Sequence, residues 1–169
     1  MNKPRNLKDV QKFTSCLASL SRFLSRLGEK AIPLYQLMKK MDKFIWTPKA
    51  DEAFKELKRM LSTAPVLAAP IEKEPMMLYI AATTRVISIV MVVELPEKDK
   101  AQLVQRPVYY VSEVLSTSKQ NYPQYQRMCD GVYMEAKKLK PYFQAPLITV
   151  ISSVPLAKII GNRDASGRV

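Results

Sequence analysis

Between residues 76 and 115 three runs rich in β-branched and other apolar residues, 76–84, 87–94 and 107–115, follow one another directly, and few folds admit that order. The connection Leu95-Pro96-Glu97-Lys98-Asp99-Lys100 is turn-rich and charged, so the strands on either side of it are expected to pair antiparallel. Over 124–140 the residues Tyr125, Met128, Cys129, Val132, Tyr133, Ala136 and Leu139 recur at helical spacing until Pro141 stops them. Residues 147–152 then read as a buried strand and 155–160 as a short helix. Three strands, a helix and a further strand parallel to one of the first three describe an α/β fold with a mixed sheet.

The chain ahead of Ala64-Pro65 has a different texture. Val10, Phe13, Leu17, Leu20, Leu24 and Leu27 recur at steps of three and four, which predicts one helix over 7–27 with Gly28 as its stop. A second helix is expected over 33–40, with Leu34 and Leu37 or Met38 facing inward and Lys39, Lys40 and Lys43 exposed. Thr47-Pro48 starts a third, with Pro48 at its first position and Ala53, Phe54, Leu57 and Leu61 along it. Arg22, Arg26 and Lys30 follow at steps of four and line another face of the first helix or its exit. A solvated stripe and a phosphate-contacting one are both open readings of that spacing.

With 27 Lys plus Arg against 15 Asp plus Glu the formal net charge is +12, which favours polyanionic partners. Residues 1–60 hold 14 of the cations and 6 of the acids, so the helical front carries a net +8. There is no histidine, which excludes imidazole-dependent triads and metal sites and leaves carboxylates to hold any hard cation. Cys16 and Cys129 lie far apart and are both read as buried small apolar residues. No signal-like stretch opens the chain, and its longest apolar run is far short of the roughly 20 residues a membrane helix needs. An intracellular location, cytoplasmic or nuclear, is therefore expected.

Phosphodiester cleavage without histidine would need several carboxylates converging on two cations. The expected strands 76–84 and 147–152 contain none. On the long helix Asp130 lies about 200° around from Met128, off the apolar stripe, while Glu135 drifts back toward it. The four glycines are isolated, so no phosphate-cradling loop is present; Ser116-Thr117-Ser118 and Ser152-Ser153 have no histidine partner for activation, and spacing alone identifies no Ser-Lys arrangement. The interleaved tyrosines are read as core rather than as stacking surfaces.

Several ordered blocks carry a resemblance: Ser21-Arg22-Phe23, Ala31-Ile32-Pro33-Leu34, Phe44-Ile45-Trp46-Thr47, Ala53-Phe54-Lys55-Glu56-Leu57-Lys58, Ala64-Pro65-Val66-Leu67, Pro107-Val108-Tyr109-Tyr110-Val111-Ser112 and Asn121-Tyr122. Nearly the whole chain resembles the part of Ty3/gypsy-type retrotransposon polyproteins that joins the reverse transcriptase to its RNase H-like domain. The block Tyr79-Ile80-Ala81-Ala82-Thr83 looks most like plant elements of that group. The resemblance implies a helical segment over 1–43, similar to the end of a reverse transcriptase thumb, and an RNase H-like domain over 44–169. It also implies that the family's last strand and C-terminal helix would follow Val169.

Active members of that family hold Mg²⁺ with an Asp on the first strand, a Glu on the long helix and an Asp at the end of the fourth strand. At the matching positions this chain has Ala81, Met128 and Ser152. The resemblance thus implies no catalytic residue, no bound metal and no cofactor. It leads to the expectation of a catalytically silent RNase H-like module that binds nucleic acid, an RNA/DNA hybrid, beside a reverse transcriptase and other polyprotein domains. Arg22, Arg26, Lys30, Lys39, Lys40 and Lys43 are its candidate contacts. A surviving metal-dependent ribonuclease H using Asp130 or Glu135, and an inert retroelement remnant, are the alternatives.

Overall fold

Asn6 starts the first helix: its side chain accepts the Asp9 N–H at 2.9 Å, satisfying a donor the first turn leaves orphaned. The computed structural model describes residues 2–39, 44–69, 74–97, 102–138 and 147–160, with no side-chain description at 138, 159 and 160. Helix α1 spans Leu7–Ser19, a single 3₁₀ turn covers Ser21–Phe23, and α2 spans Leu27–Lys39. The single helix expected over 7–27 is therefore broken, and the helix expected from Pro33 begins six residues earlier, with Pro33 inside it. Periodicity alone missed the break because Leu24 and Leu27 are both buried; the chain reverses between the helices to bring them inward and leaves Leu20 36% exposed. Arg26 makes the reversal with a φ of 54°, a left-handed conformation that costs about 1–2 kcal/mol for a residue with a side chain.

Helix α3 spans Pro48–Ser62 as expected, with the Thr47 side chain accepting the Ala50 N–H at 3.2 Å and Pro48 where no N–H is needed. Val10, Phe13 and Leu17 of α1, Leu34 and Leu37 of α2, and Ala50, Phe54 and Leu57 of α3 form one buried cluster. Phe13 and Phe54 meet edge to face at 4.9 Å, and Trp46 packs on Phe54 at 5.9 Å. Cys16, expected to be buried, lies exposed on α1, while Cys129 is buried and its thiol pKa is raised by that burial.

Strands β1 (Met76–Ala82), β2 (Val86–Leu95) and β3 (Val104–Val114) are followed by a one-turn helix α4 (Thr117–Gln120), helix α5 (Gln124–Lys138), β4 (Ile148–Ser152) and a short helix α6 (Leu156–Ile160). The sheet order is β3-β2-β1-β4, antiparallel throughout except that β4 runs parallel to β1, as the strand–helix–strand order requires. β3 starts earlier than expected. Pro107 sits beside the register shift at Met91/Val92, on an outer strand, where its missing N–H is tolerated.

Met76, Leu78 and Ile80 of β1 and Ile87, Ile89, Met91 and Val93 of β2 share a second cluster with Met128 and Cys129 of α5. Gly131 lets α5 lie this close, since a Cβ there would be 2.7 Å from the Ile80 Cδ1 and 2.9 Å from the Ile87 Cγ2. Val86 and Val92 are also buried, so β2 is apolar on both faces, the mark of a strand covered from two sides. The second cover is α2 with its preceding 3₁₀ turn. Gly28, read from the sequence as a helix stop, lies inside the first turn of α2 and donates its N–H to the Ser112 Oγ of β3 at 2.9 Å. A Cβ at Gly28 would stand 2.9 Å from that oxygen and 3.3 Å from the Val86 Cγ1. Among the described residues no helix is long and apolar enough to cross a membrane.

Candidate nucleic-acid interface

Strand alternation decides how the three positions of the resemblance are disposed. Ile80 and Ala82 pack into the cluster that contains Met128, so Ala81 between them points to the opposite face of the sheet, where it is exposed. Met128 is 1% exposed in the core. Ser152 pairs in register with Ile80 and so shares the α5 face, at the end of β4. Its hydroxyl accepts the Val154 N–H at 3.0 Å and donates back to the Val154 carbonyl. The structure therefore does not bring the three to one point. A methyl, a buried thioether and a hydroxyl closed on its own turn supply no hard anionic oxygen, and this donor set does not fit a divalent cation of the Mg²⁺ type. Among the described residues no three His, Cys, Asp or Glu side chains are grouped to hold one.

The acids of α5 have other surroundings. Asp130 binds the Lys119 ammonium of α4 at 2.7 Å, and that hydrogen bond raises the Lys119 pKa. Glu135 is 1% exposed. Between them in character is Arg127, which sequence reasoning passed over: it is 8% exposed and donates from Nη1 to the Thr83 carbonyl at 2.6 Å. This ties the first turns of α5 to the β1–β2 connection, where the Thr83 hydroxyl accepts the Val86 N–H at 3.0 Å. A cation inside the Gln126-Arg127-Met128 block was the available signal, since an arginine next to a buried apolar residue either snorkels or finds a carbonyl.

The predicted basic contacts do not share a helix face. Arg22 lies in the 3₁₀ turn, its guanidinium 4.8 Å from the Phe23 ring centre. Arg26 lies between helices and holds Glu29 through Nε at 2.8 Å and Nη2 at 2.7 Å, and Lys30 on α2 is bonded to Glu56 of α3. Arg22 and Lys39, the latter exposed at the end of α2, have no carboxylate partner among the described residues; Lys40 and Lys43 lie outside the described residues. Lys8 and Lys12 of α1 are exposed cations without a carboxylate partner that the sequence reading missed. They stand four apart on the side of α1 away from Val10, Phe13 and Leu17, a spacing visible in the sequence.

Ala81 opens instead onto a cleft of about 490 Å³ between the turn into α2 and the sheet, lined by Ser25, Tyr79, Ser88, Val90 and Tyr110. Burial raises the Tyr110 pKa. The only charges on its wall are Arg26 and Glu29, which neutralise each other.

A mixed sheet in the order β3-β2-β1-β4, with α5 crossing one face and a helical unit on the other, is an RNase H-like architecture. The model of the RNase H-like domain found in reverse transcriptase matches residues 46–150, and the chain belongs to that family. The Pol polyprotein of Feline endogenous virus ECE1 is 28% identical over 93% of this chain and 14% of its own length. The Gag-Pol polyprotein of Gibbon ape leukemia virus is 28% identical over 93% of this chain and 9% of its own. The chain thus spans a small part of these relatives. An uncharacterized mitochondrial protein of Arabidopsis thaliana, AtMg00860, is 37% identical over 43% of this chain and 46% of its own, in keeping with the plant-like block. Among solved structures the foamy viral protease-reverse transcriptase in complex with dsDNA superposes with a TM-score of 0.71 at 20% identity, over 96% of this chain and 33% of that one. The same protein with an RNA/DNA hybrid gives 0.68 at 19% identity, over 90% and 20%.

Proposed function

We infer that the chain is a catalytically silent RNase H-like module of a retroelement polymerase, which holds nucleic acid of the RNA/DNA hybrid class beside a reverse transcriptase. The observation that carries this reading is the donor set at Ala81, Met128 and Ser152, which offers a divalent cation no carboxylate and is split across two faces of the sheet. The net charge of +12 and the unpaired Lys8, Lys12 and Lys39 support the binding half of it. So does the complex of the foamy viral protein with an RNA/DNA hybrid. The helical segment over 1–43 then acts as the joint to the polymerase, with α3 packed against it.

Anisotropy titration of the chain against a labelled hybrid duplex at several salt concentrations, with Mn²⁺ present, tests this. Contacts to about four phosphates give a loss of affinity near 10²-fold between 50 and 200 mM salt, and Lys8→Gln with Lys12→Gln lowers the salt slope by about two. An affinity loss below tenfold, or no binding at low salt, counts against the binding role. Cleavage of the probe that disappears on replacing Asp130 or Glu135 overturns the silent reading.

A further inference from the structure

We propose that the outer face of α4 and α5 is a second nucleic-acid contact, a stacking platform for the bases of an unpaired strand, formed by Tyr122, Tyr125 and Tyr133 with Lys137. Among the described residues these three are the only exposed aromatic side chains, at 37%, 42% and 59%, and all lie within one short stretch. Trp46, Phe13 and Phe54, by contrast, pack against one another in the helical cluster. Tyr125 and Tyr133 are about 12 Å apart along α5 and about 80° apart around it; Tyr133 lies opposite Met128 and Glu135, and Tyr125 flanks the buried side. Exposed rings at this separation can take bases that are not in a duplex, because every base presents a π-face.

Charge on this face suits a polyanion. The Lys137 ammonium lies 4.6 Å from the Tyr133 ring centre and has no carboxylate partner among the described residues. Of the two acids of α5, Asp130 is engaged by Lys119 and Glu135 is buried in the core. A phosphate beside a base stacked on Tyr133 therefore meets the Lys137 ammonium, with the nearby Asp130 carboxylate already held by a cation. An acidic partner protein would find the cation but would leave the three ring faces without planar groups to cover them, which is why the unpaired strand is the better occupant. The platform rests on the nucleic-acid reading only in its ligand class, and none of its residues is shared with Lys8, Lys12 or Lys39.

The test compares a labelled thymidine oligonucleotide of about 15 residues with a blunt hybrid duplex, both at low salt. Tyr125→Ala with Tyr133→Ala is expected to weaken oligonucleotide binding by about tenfold or more for each ring removed while leaving duplex binding unchanged. Tyr125→Phe with Tyr133→Phe keeps the rings and is expected to bind as the parent does. Both side chains are exposed, so an unchanged melting temperature shows that the variants fold. Wild-type chain that binds the duplex but not the oligonucleotide overturns the platform and leaves the hybrid reading standing. Equal oligonucleotide binding by the alanine and parent chains also overturns it. So does a change in sedimentation on alanine substitution without a change in oligonucleotide affinity, which would assign the face to protein contact.

Discussion

Replacing Gly28 by alanine probes the joint between the helical unit and the sheet. In an exposed helix the change would stabilise by up to about 1 kcal/mol, because alanine loses less backbone entropy than glycine. At position 28 the new Cβ would stand 2.9 Å from the Ser112 Oγ, the atom that accepts the residue's own N–H, with the Val86 Cγ1 at 3.3 Å behind it. Overpacking of this kind costs about 1–3 kcal/mol, and pushing the hydroxyl away forfeits about 0.5–1.5 kcal/mol of hydrogen bond. The expected net effect is a destabilisation of about 1–3 kcal/mol. Ser112→Ala alone leaves the Gly28 N–H without its acceptor and costs a similar amount. In the double variant the clashing oxygen is gone and the hydrogen bond is lost only once, so the double costs less than the sum of the singles by about 1 kcal/mol or more. Urea unfolding of all four chains in one buffer measures this coupling. Strict additivity, or a Gly28→Ala chain more stable than the parent, would refute the close approach of α2 to β3.

Asp51 is held well below the usual carboxylate range by hydrogen bonds from Lys55, Trp46 and Lys3. A depressed carboxylate contributes stability that is fully present above its unfolded pKa of about 3.9 and is lost as pH falls below it. Asp51→Asn is thus expected to lower the melting temperature at pH 7 and to converge with the parent as pH falls below 4. A gap that widens toward low pH would contradict this. Arg127→Ala releases the Thr83 carbonyl, so hydrogen exchange at the Thr83 and Val86 amides is expected to accelerate while the amides of α1–α3 keep their protection. Uniform acceleration across the molecule would show that Arg127 supports the fold at large and not this connection.

Much of the sheet was legible because its signal is local. The apolar alternation of β1 and β2 and the charged loop after Leu95 depend on neighbouring residues, and the parallel return of β4 follows from a helix lying between it and the earlier strands. The helical front was misjudged where a tertiary contact decides. Leu20, Leu24 and Leu27 keep a helical rhythm across a chain reversal, and Gly28 looks like a stop when its lack of a side chain serves contact with Ser112, a residue 84 positions away. Arg22, Arg26 and Lys30 do not line one helix face for the same reason: once the helix breaks they fall into different elements, and two of them meet carboxylates. The residues Ala81, Met128 and Ser152 at the three positions of the resemblance were readable, but their placement on two faces and the buried guanidinium of Arg127 needed coordinates. Tyr122, ahead of α5, and the tyrosines of α5 read as core because aromatic residues at helical spacing usually belong there, whereas Met128, Gly131 and Glu135 already fill the buried side of α5.

The position of Met128 also sets what the chain can accept there. A carboxylate placed there alone would enter a setting 1% exposed, in one cluster with Leu78 and Ile80 and two helical turns from the buried Glu135. An uncompensated charge in such a place costs several kcal/mol, a large share of the roughly 5–15 kcal/mol that keeps a domain folded. Introducing one acid at a time would therefore pass through poorly folded sequences, because the packing that accommodates methionine penalises a charge in its place. The core behaves as a one-way valve: apolar side chains enter position 128 freely, and a lone carboxylate does so only at the expense of the fold.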